Sequence, residues 1–213
     1  MISCCLCSKL SSGMQNEVWD KPLLETKNFV VLPSLGSLVP GWLLLIPKTH
    51  FVCMGALSPD LATEMDRLKQ HLALQVSTEY GNACVFEHGP SRANKSIGCG
   101  VDHAHVHVVP VGFDLAEAAR VFMPNDAAWR RHATWNDCQT AFAQGHDYLY
   151  VEQPLGSGVI AVDDDFGSQV FRKAIAAHLG ELEKFNWRDY PRLDLIATTV
   201  RRWNDATQWA VSF

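Results

Sequence analysis

No stretch of this chain approaches the roughly 20 consecutive apolar residues that a membrane-spanning helix needs. Its longest aliphatic run, "WLLLI" at 42–46, has the length of a strand. A basic surplus is missing too: 18 Lys and Arg stand against 23 Asp and Glu, a formal net charge of -5. Counterion release therefore offers little drive toward nucleic acid, and no such partner is expected. The opening "MISCCLCSKL" has neither a basic region nor an apolar signal core, so a cytoplasmic location is the expectation. Cysteine is not scarce, but its count of seven is odd, and three crowd positions 4, 5 and 7. That makes a poor disulfide framework and a better start for a metal site. Repeats and low-complexity linkers are also lacking. What is left is an ordinary globular composition, 47% hydrophobic and 19% charged over 213 residues, enough for one domain with a substantial extension.

Hydrophobic patterning supplies the elements. "NFVVLP" (28–33), "WLLLIPKTHF" (42–51) and "ACVFEHG" (83–89) read as strands. From Ser58 to Gly81 a helix is predicted, with Leu61, Met65, Leu68, Leu72 and Val76 on one stripe. Ser58 or Asp60 is placed to cap its start and Gly81 to end it. "FDLAEAARVF" predicts a short helix, residues 147–163 a hairpin turning at "PLGSG", and 167–180 a further helix. Residues 124–146 and the tail from Trp187 show no clear period. Strands and helices mix without alternating as βαβ units, so the class is α+β with an antiparallel sheet.

One stretch carries chemistry: "GCGVDHAHVHVVP", residues 98–110. Its strict alternation reads as a strand with His103, His105 and His107 on one face. Ala104, Val106 and Val108 fall on the other face, and so does Asp102. Neighbouring histidines on a strand stand roughly 6 to 7 Å apart, too far for the rings to bond directly. Such spacing suits three groups acting in turn on one substrate; the plainer alternative is a solvated or metal-binding face.

Four features in order settle between these. Cys4 and Cys7 form a C-x-x-C; "PGWLLLIPKTH" follows, then "FEHGP…GCG", then "HAHVHVV". Together they resemble the histidine triad (HIT) family of nucleotide hydrolases and transferases, in its zinc-containing form. The resemblance covers about residues 1–115 and leaves 116–213 as a C-terminal α/β extension packed on that domain. It implies the HIT-like fold, and a role for each motif. His105 is the expected nucleophile on the α-phosphorus of a nucleotide, forming a nucleotidyl-histidine. The backbone carbonyl of His103 is expected to hold the other nitrogen of that ring. His107 is expected at the phosphate or the leaving-group oxygen. Gly98 and Gly100 are expected to offer backbone N–H groups there, with Asn94, Lys95 and Ser96 as looser candidates. A structural zinc is implied on Cys4, Cys7, His50 and His103.

The chain departs from the family at two positions. Trp42 stands where the family carries a histidine, and Ser34 where it carries an acid for the ribose hydroxyls. A serine makes a single hydrogen bond in that place, which leaves ribose binding to be shared with other residues. Phe29, Leu32 and Leu35 are candidates for the base slot. In the extension, Arg172 and Lys173, with Ser168 and Gln169 ahead of them, are weighed as phosphate ligands against a solvated helix face. Trp187, Trp203 and Trp209 are read as core or interface. The expected partner is a small-molecule nucleotide. Family members commonly pair as homodimers, a surface that the extension could occupy here. The alternative function is a non-catalytic nucleotide- or zinc-binding regulator on the same fold.

Overall fold

The computed structural model describes residues 4–12, 17–95, 97–98, 100–154 and 157–205. Its strands are β1 (Leu24–Glu25), β2 (Phe29–Pro33), β3 (Leu43–Pro47), β4 (Ala83–Gly89), β5 (Val106–Pro110), β6 (Arg130–Ala133), β7 (Tyr148–Glu152) and β8 (Gly158–Val162). They form one sheet in the order β1-β2-β3-β5-β4-β7-β8-β6, and every neighbouring pair is antiparallel. The helices are α1 (Cys5–Ser12), α2 (Pro59–Tyr80), α3 (Leu115–Ala119), α4 (Trp135–Ala143), α5 (Val170–His178) and α6 (Leu193–Asp205). The class is α+β.

Alternation along each strand divides the side chains between two layers. Leu43, Leu45, Val85, Val106 and Val108 meet Met65, Leu68, Leu72 and Val76 of α2 on one face. Each such side chain contributes roughly 1.5–3 kcal/mol on burial. Pro59 opens α2, and Gly81, with φ of 91°, closes it in a conformation that β-carbons resist. On the opposite face Trp42, Cys84, Phe86 and Val109 pack with Leu149, Val151, Phe171 and Ile175. That second face carries the histidines.

The extension continues the sheet. β7 runs along the outer edge of β4 and pairs Phe86 with Val151, Glu87 with Tyr150, and His88 with Leu149. Gly89 ends this pairing opposite Tyr148, whose ring fills the space that a β-carbon would need. Helix α5 then lays Phe171 against Phe86 and His88.

Three expectations are corrected. The triad strand begins only at Val106, and residues 100–105 lie outside the sheet. Their backbone is drawn off it, with the Ala104 N–H donating to the Phe51 carbonyl. The stretch 124–146 holds β6 and α4, the helix opened by a capping box between Thr134 and Asp137. The tail holds α6, which buries only Ile196, Thr199 and Trp203, too narrow a stripe to dominate the polar pattern around it. Trp209 lies outside the described residues.

Candidate functional site

His105 sits where two pockets meet and lines both. Its Nδ1 is 2.7 Å from the carbonyl oxygen of His103. A carbonyl only accepts, so Nδ1 carries the proton and Nε2 keeps an open lone pair. Burial holds this imidazole below the ordinary histidine range.

His107 lies one strand position beyond, paired across the sheet with Leu44 and Phe86. Its ring stacks on Phe86, centroids 4.4 Å apart. The Trp42 indole N–H donates to its Nδ1 at 3.0 Å. An indole cannot accept, so the His107 proton is on Nε2. That Nε2 is buried and has no hydrogen-bond partner among the described residues. A buried donor left unmet costs about 1–3 kcal/mol, which an acceptor on a ligand recovers. The His105 and His107 rings stand 4.9 Å apart, closer than a flat strand allows, because His105 precedes β5.

Replacing Trp42 by phenylalanine keeps an aromatic ring on Phe86 and removes the donor. In that variant the ¹⁵N shifts of His107 are expected to move from a single Nε2–H pattern to a tautomer mixture. Any turnover should fall about 5- to 10-fold, the value of one hydrogen bond. Unchanged shifts would contradict the lock.

His103 turns the other way. Its Nε2–H donates to the Pro47 carbonyl at 2.8 Å, which leaves Nδ1 facing the sulfurs of Cys4 at 3.4 Å and Cys7 at 3.5 Å. Cys7 Sγ is in turn 3.3 Å from His50 Nδ1. The donor atoms of all four residues lie within 4.8 Å of one another. A tetrahedron with metal–ligand distances of about 2.0–2.3 Å has edges of roughly 3.3–3.8 Å. The three sulfur–nitrogen spacings of 3.3, 3.4 and 3.5 Å fall within that range. Cys5, the cysteine between the pair, is exposed and lines the larger pocket instead.

That larger pocket, about 690 Å³, is mainly apolar, with Leu32, Leu35 and Leu44 beside Trp19 and Trp187. Ser34 lines it, as do Lys9 and Asp20, which pair at 2.5 Å. Phe29 does not; it packs under α2. The smaller pocket, about 300 Å³, has a mixed lining and holds Gly98, Gly100, Lys95, Glu87 and His88. Asp102 lines it too and is not on a far face, since its segment is not strand. Asn94 is exposed and lies outside both pockets, its backbone N–H donating to Asp102. Ser96 falls outside the described residues.

Two site residues lie within "FEHGP" but were assigned no role from the sequence. His88 accepts the Phe171 N–H at its Nε2, 3.3 Å away, and burial pushes its pKa down to about 3. Glu87 is 1% exposed, with one carboxyl oxygen accepting the Met54 N–H at 2.6 Å and the other the Tyr148 hydroxyl at 2.5 Å. Burial, the dominant cause, raises its pKa to about 7. Because the folded pKa lies above the ordinary value, the fold favours the protonated acid. That stabilisation is complete below about pH 4.5 and is lost as pH rises through 7. Relative to Glu87→Gln, the wild type is expected to lose about 3 kcal/mol of unfolding free energy between pH 5 and 8. Equal slopes in denaturant titrations of the two proteins would count against a raised pKa.

Arg172 also departs from expectation. It is 1% exposed, not on a solvated face, and lines the larger pocket with His105 and His107. Lys173 is half-buried, its ammonium over the Phe185 ring. Ser168 and Gln169 precede α5, Gln169 at a φ of 57° and without a side-chain cap.

Residues 15–113 match the family model of the HIT domain. That span, just under half of the chain, is similar to the HIT domain. No curated protein matches it. Similar solved structures include a Zn-bound histidine triad family protein from Mycobacterium smegmatis, 23% identical over 67% of this chain and 94% of that one, TM-score 0.39. A HIT family protein from Bacillus anthracis is 20% identical over 67% and 94%, TM-score 0.42. A HIT family hydrolase from Clostridium thermocellum is 17% identical over 54% and 94%, TM-score 0.39. The matched span holds the triad, Trp42, His50 and His88; Cys4 and Cys7 lie before it, and Phe171, Arg172 and Trp187 after it. Among the described residues no helix is long and apolar enough to cross a membrane.

Proposed function

We propose that this protein hydrolyses or transfers nucleotides at the α-phosphate through a covalent intermediate on His105. The observation that carries the reading is the locked tautomer of His105. Its Nδ1–H is committed to the His103 carbonyl, and the ring stands between an apolar pocket and a smaller one of mixed lining. The apolar pocket suits a nucleobase between leucines and tryptophans. The side of the smaller pocket, with Lys95, Gly98 and Gly100, is left for the leaving group and then the acceptor.

In the first step the Nε2 lone pair forms a bond to the α-phosphorus as the bond to the leaving group breaks, and the leaving group departs with that electron pair. In the second, a water oxygen attacks phosphorus, the N–P bond breaks, its pair returns to Nε2, and the water proton passes to solvent. Splitting one displacement into two lowers each barrier. His107 donates its Nε2–H to a phosphate oxygen as charge builds there. Backbone N–H groups of the loop carrying Gly98 and Gly100 serve the same oxygens. Water is the default acceptor; substrates of the phosphoramidate, dinucleoside polyphosphate or nucleotide–sugar type fit the two-pocket arrangement.

Cys4, Cys7, His50 and His103 are assigned to zinc, for which a Cys₂His₂ set is suited. With all four donors supplied by the protein, these residues would hold zinc in a closed site and, with it bound, would clamp α1 to the His103 ring. His103 thus joins the two functions: its imidazole serves the metal and its carbonyl orients His105.

The test is release of a nucleoside monophosphate from a panel of these three substrate types, followed by chromatography. Turnover of at least one type is expected. Binding without turnover across the panel would move the reading to a nucleotide-binding module.

A further inference from the structure

Arg172 stands on α5, beyond the matched HIT span, yet it reaches the triad. Its Nε donates to the Phe185 carbonyl at 2.9 Å, and a terminal nitrogen donates to the Gly36 carbonyl. The guanidinium lies 4.9 Å from the centroid of the Trp42 ring, the same indole that holds His107. It lines the pocket in which His105 and His107 also stand. These contacts fix a planar cation at one place before any ligand arrives, the condition under which charge is most effective in a site.

Arg172 keeps its charge at every ordinary pH, and burial holds the His88 and His107 imidazoles below the ordinary histidine range. Lys9, the other cation on this pocket, is engaged with Asp20. A nucleotide brought to His105 carries anionic oxygens, and their charge must be met there.

We propose that Arg172 contacts the phosphate attacked by His105, so that the extension completes the catalytic site of the HIT domain. The inference rests on the nucleotide reading of His105. It gives the C-terminal segment a chemical task besides packing.

The test compares the affinities of the four ribonucleosides and their 5′-monophosphates, by calorimetry, for wild type, Arg172→Gln and Arg172→Lys. Wild type is expected to prefer the monophosphate of its favoured base. In Arg172→Gln that preference should shrink about 10- to 100-fold, the worth of a hydrogen bond to a charged group, with nucleoside affinity unchanged. Arg172→Lys keeps the charge without the planar fork and should recover part of the preference; it also serves if the glutamine variant fails to fold. A preference that survives in both variants would overturn the assignment. Equal losses for nucleoside and monophosphate would overturn it too, by showing that Arg172 only staples Gly36 to Phe185. Wild type that binds no member of the panel, or does not distinguish the pairs, would defeat the nucleotide reading itself and the assignment with it.

Discussion

His105→Ala is expected to lower turnover by on the order of 10⁴-fold or more, the scale seen when a covalent nucleophile is removed. Its Nε2 is the one triad nitrogen with an open lone pair at the junction of the pockets, since Nδ1 is bound to the His103 carbonyl. His107 cannot substitute, because its Nδ1 accepts from Trp42 and its Nε2 carries a proton. Alanine leaves the apolar pocket walls in place, so nucleotide affinity should stay within a few-fold. Steady-state kinetics and calorimetry on the same preparations check both halves. A variant that keeps a tenth of its activity would place the nucleophile elsewhere. If affinity fell in step with the rate, His105 would be a binding residue.

Metal removal is the second large effect. The cluster ties Cys4 and Cys7, at the start of α1, to His50 and His103. Helix α1 otherwise rests on the sheet through Leu6 and Leu10, packed on Val30, Leu32 and Ile46. Leu6 and Lys9 of this helix form a wall of the larger pocket. A chelator should therefore act on fold and ligand together. For an ion present at a thousandfold its dissociation constant, stripping costs about 4 kcal/mol, or roughly 10 °C in Tm for a chain of this size. Nucleotide affinity should fall about tenfold as one apolar wall is released. Cys7→Ser should reproduce both losses and bind less than one equivalent of zinc, whereas Cys5→Ser should keep the metal. An unchanged Tm after complete chelation would remove the structural role.

The ways in which the structure differs from the sequence reading have physical causes. The α2 stripe was legible because it buries a regular set of positions under one partner. The grouping of Cys4, Cys7, His50 and His103 was legible only through the resemblance to the HIT family, since 96 positions separate Cys7 from His103. The start of β5 was not. Alternation continues through 101–105, but hydrogen bonds to Phe51 and Pro47 hold that segment off the sheet. The surroundings of His88, and of Arg172 beyond its place as a phosphate candidate, were illegible for another reason. Each acquires meaning from a contact made across the fold: His88 from the Phe171 amide 83 positions away, Arg172 from Gly36 at 136. Periodicity along one segment carries no trace of such pairs. Trp42 was visible as a departure, and only the His107 contact turns it into a tautomer lock.

The central claim is that phosphorus is attacked twice, first by His105 and then by water. The most direct measurement is the stereochemical outcome at the α-phosphorus, using a substrate with a chiral α-phosphorothioate hydrolysed in ¹⁸O-labelled water. Each in-line displacement inverts the centre, so two in succession restore it. The account predicts net retention of configuration, however short-lived the intermediate. Net inversion would show that water attacks the substrate directly, and would contradict a covalent intermediate on His105.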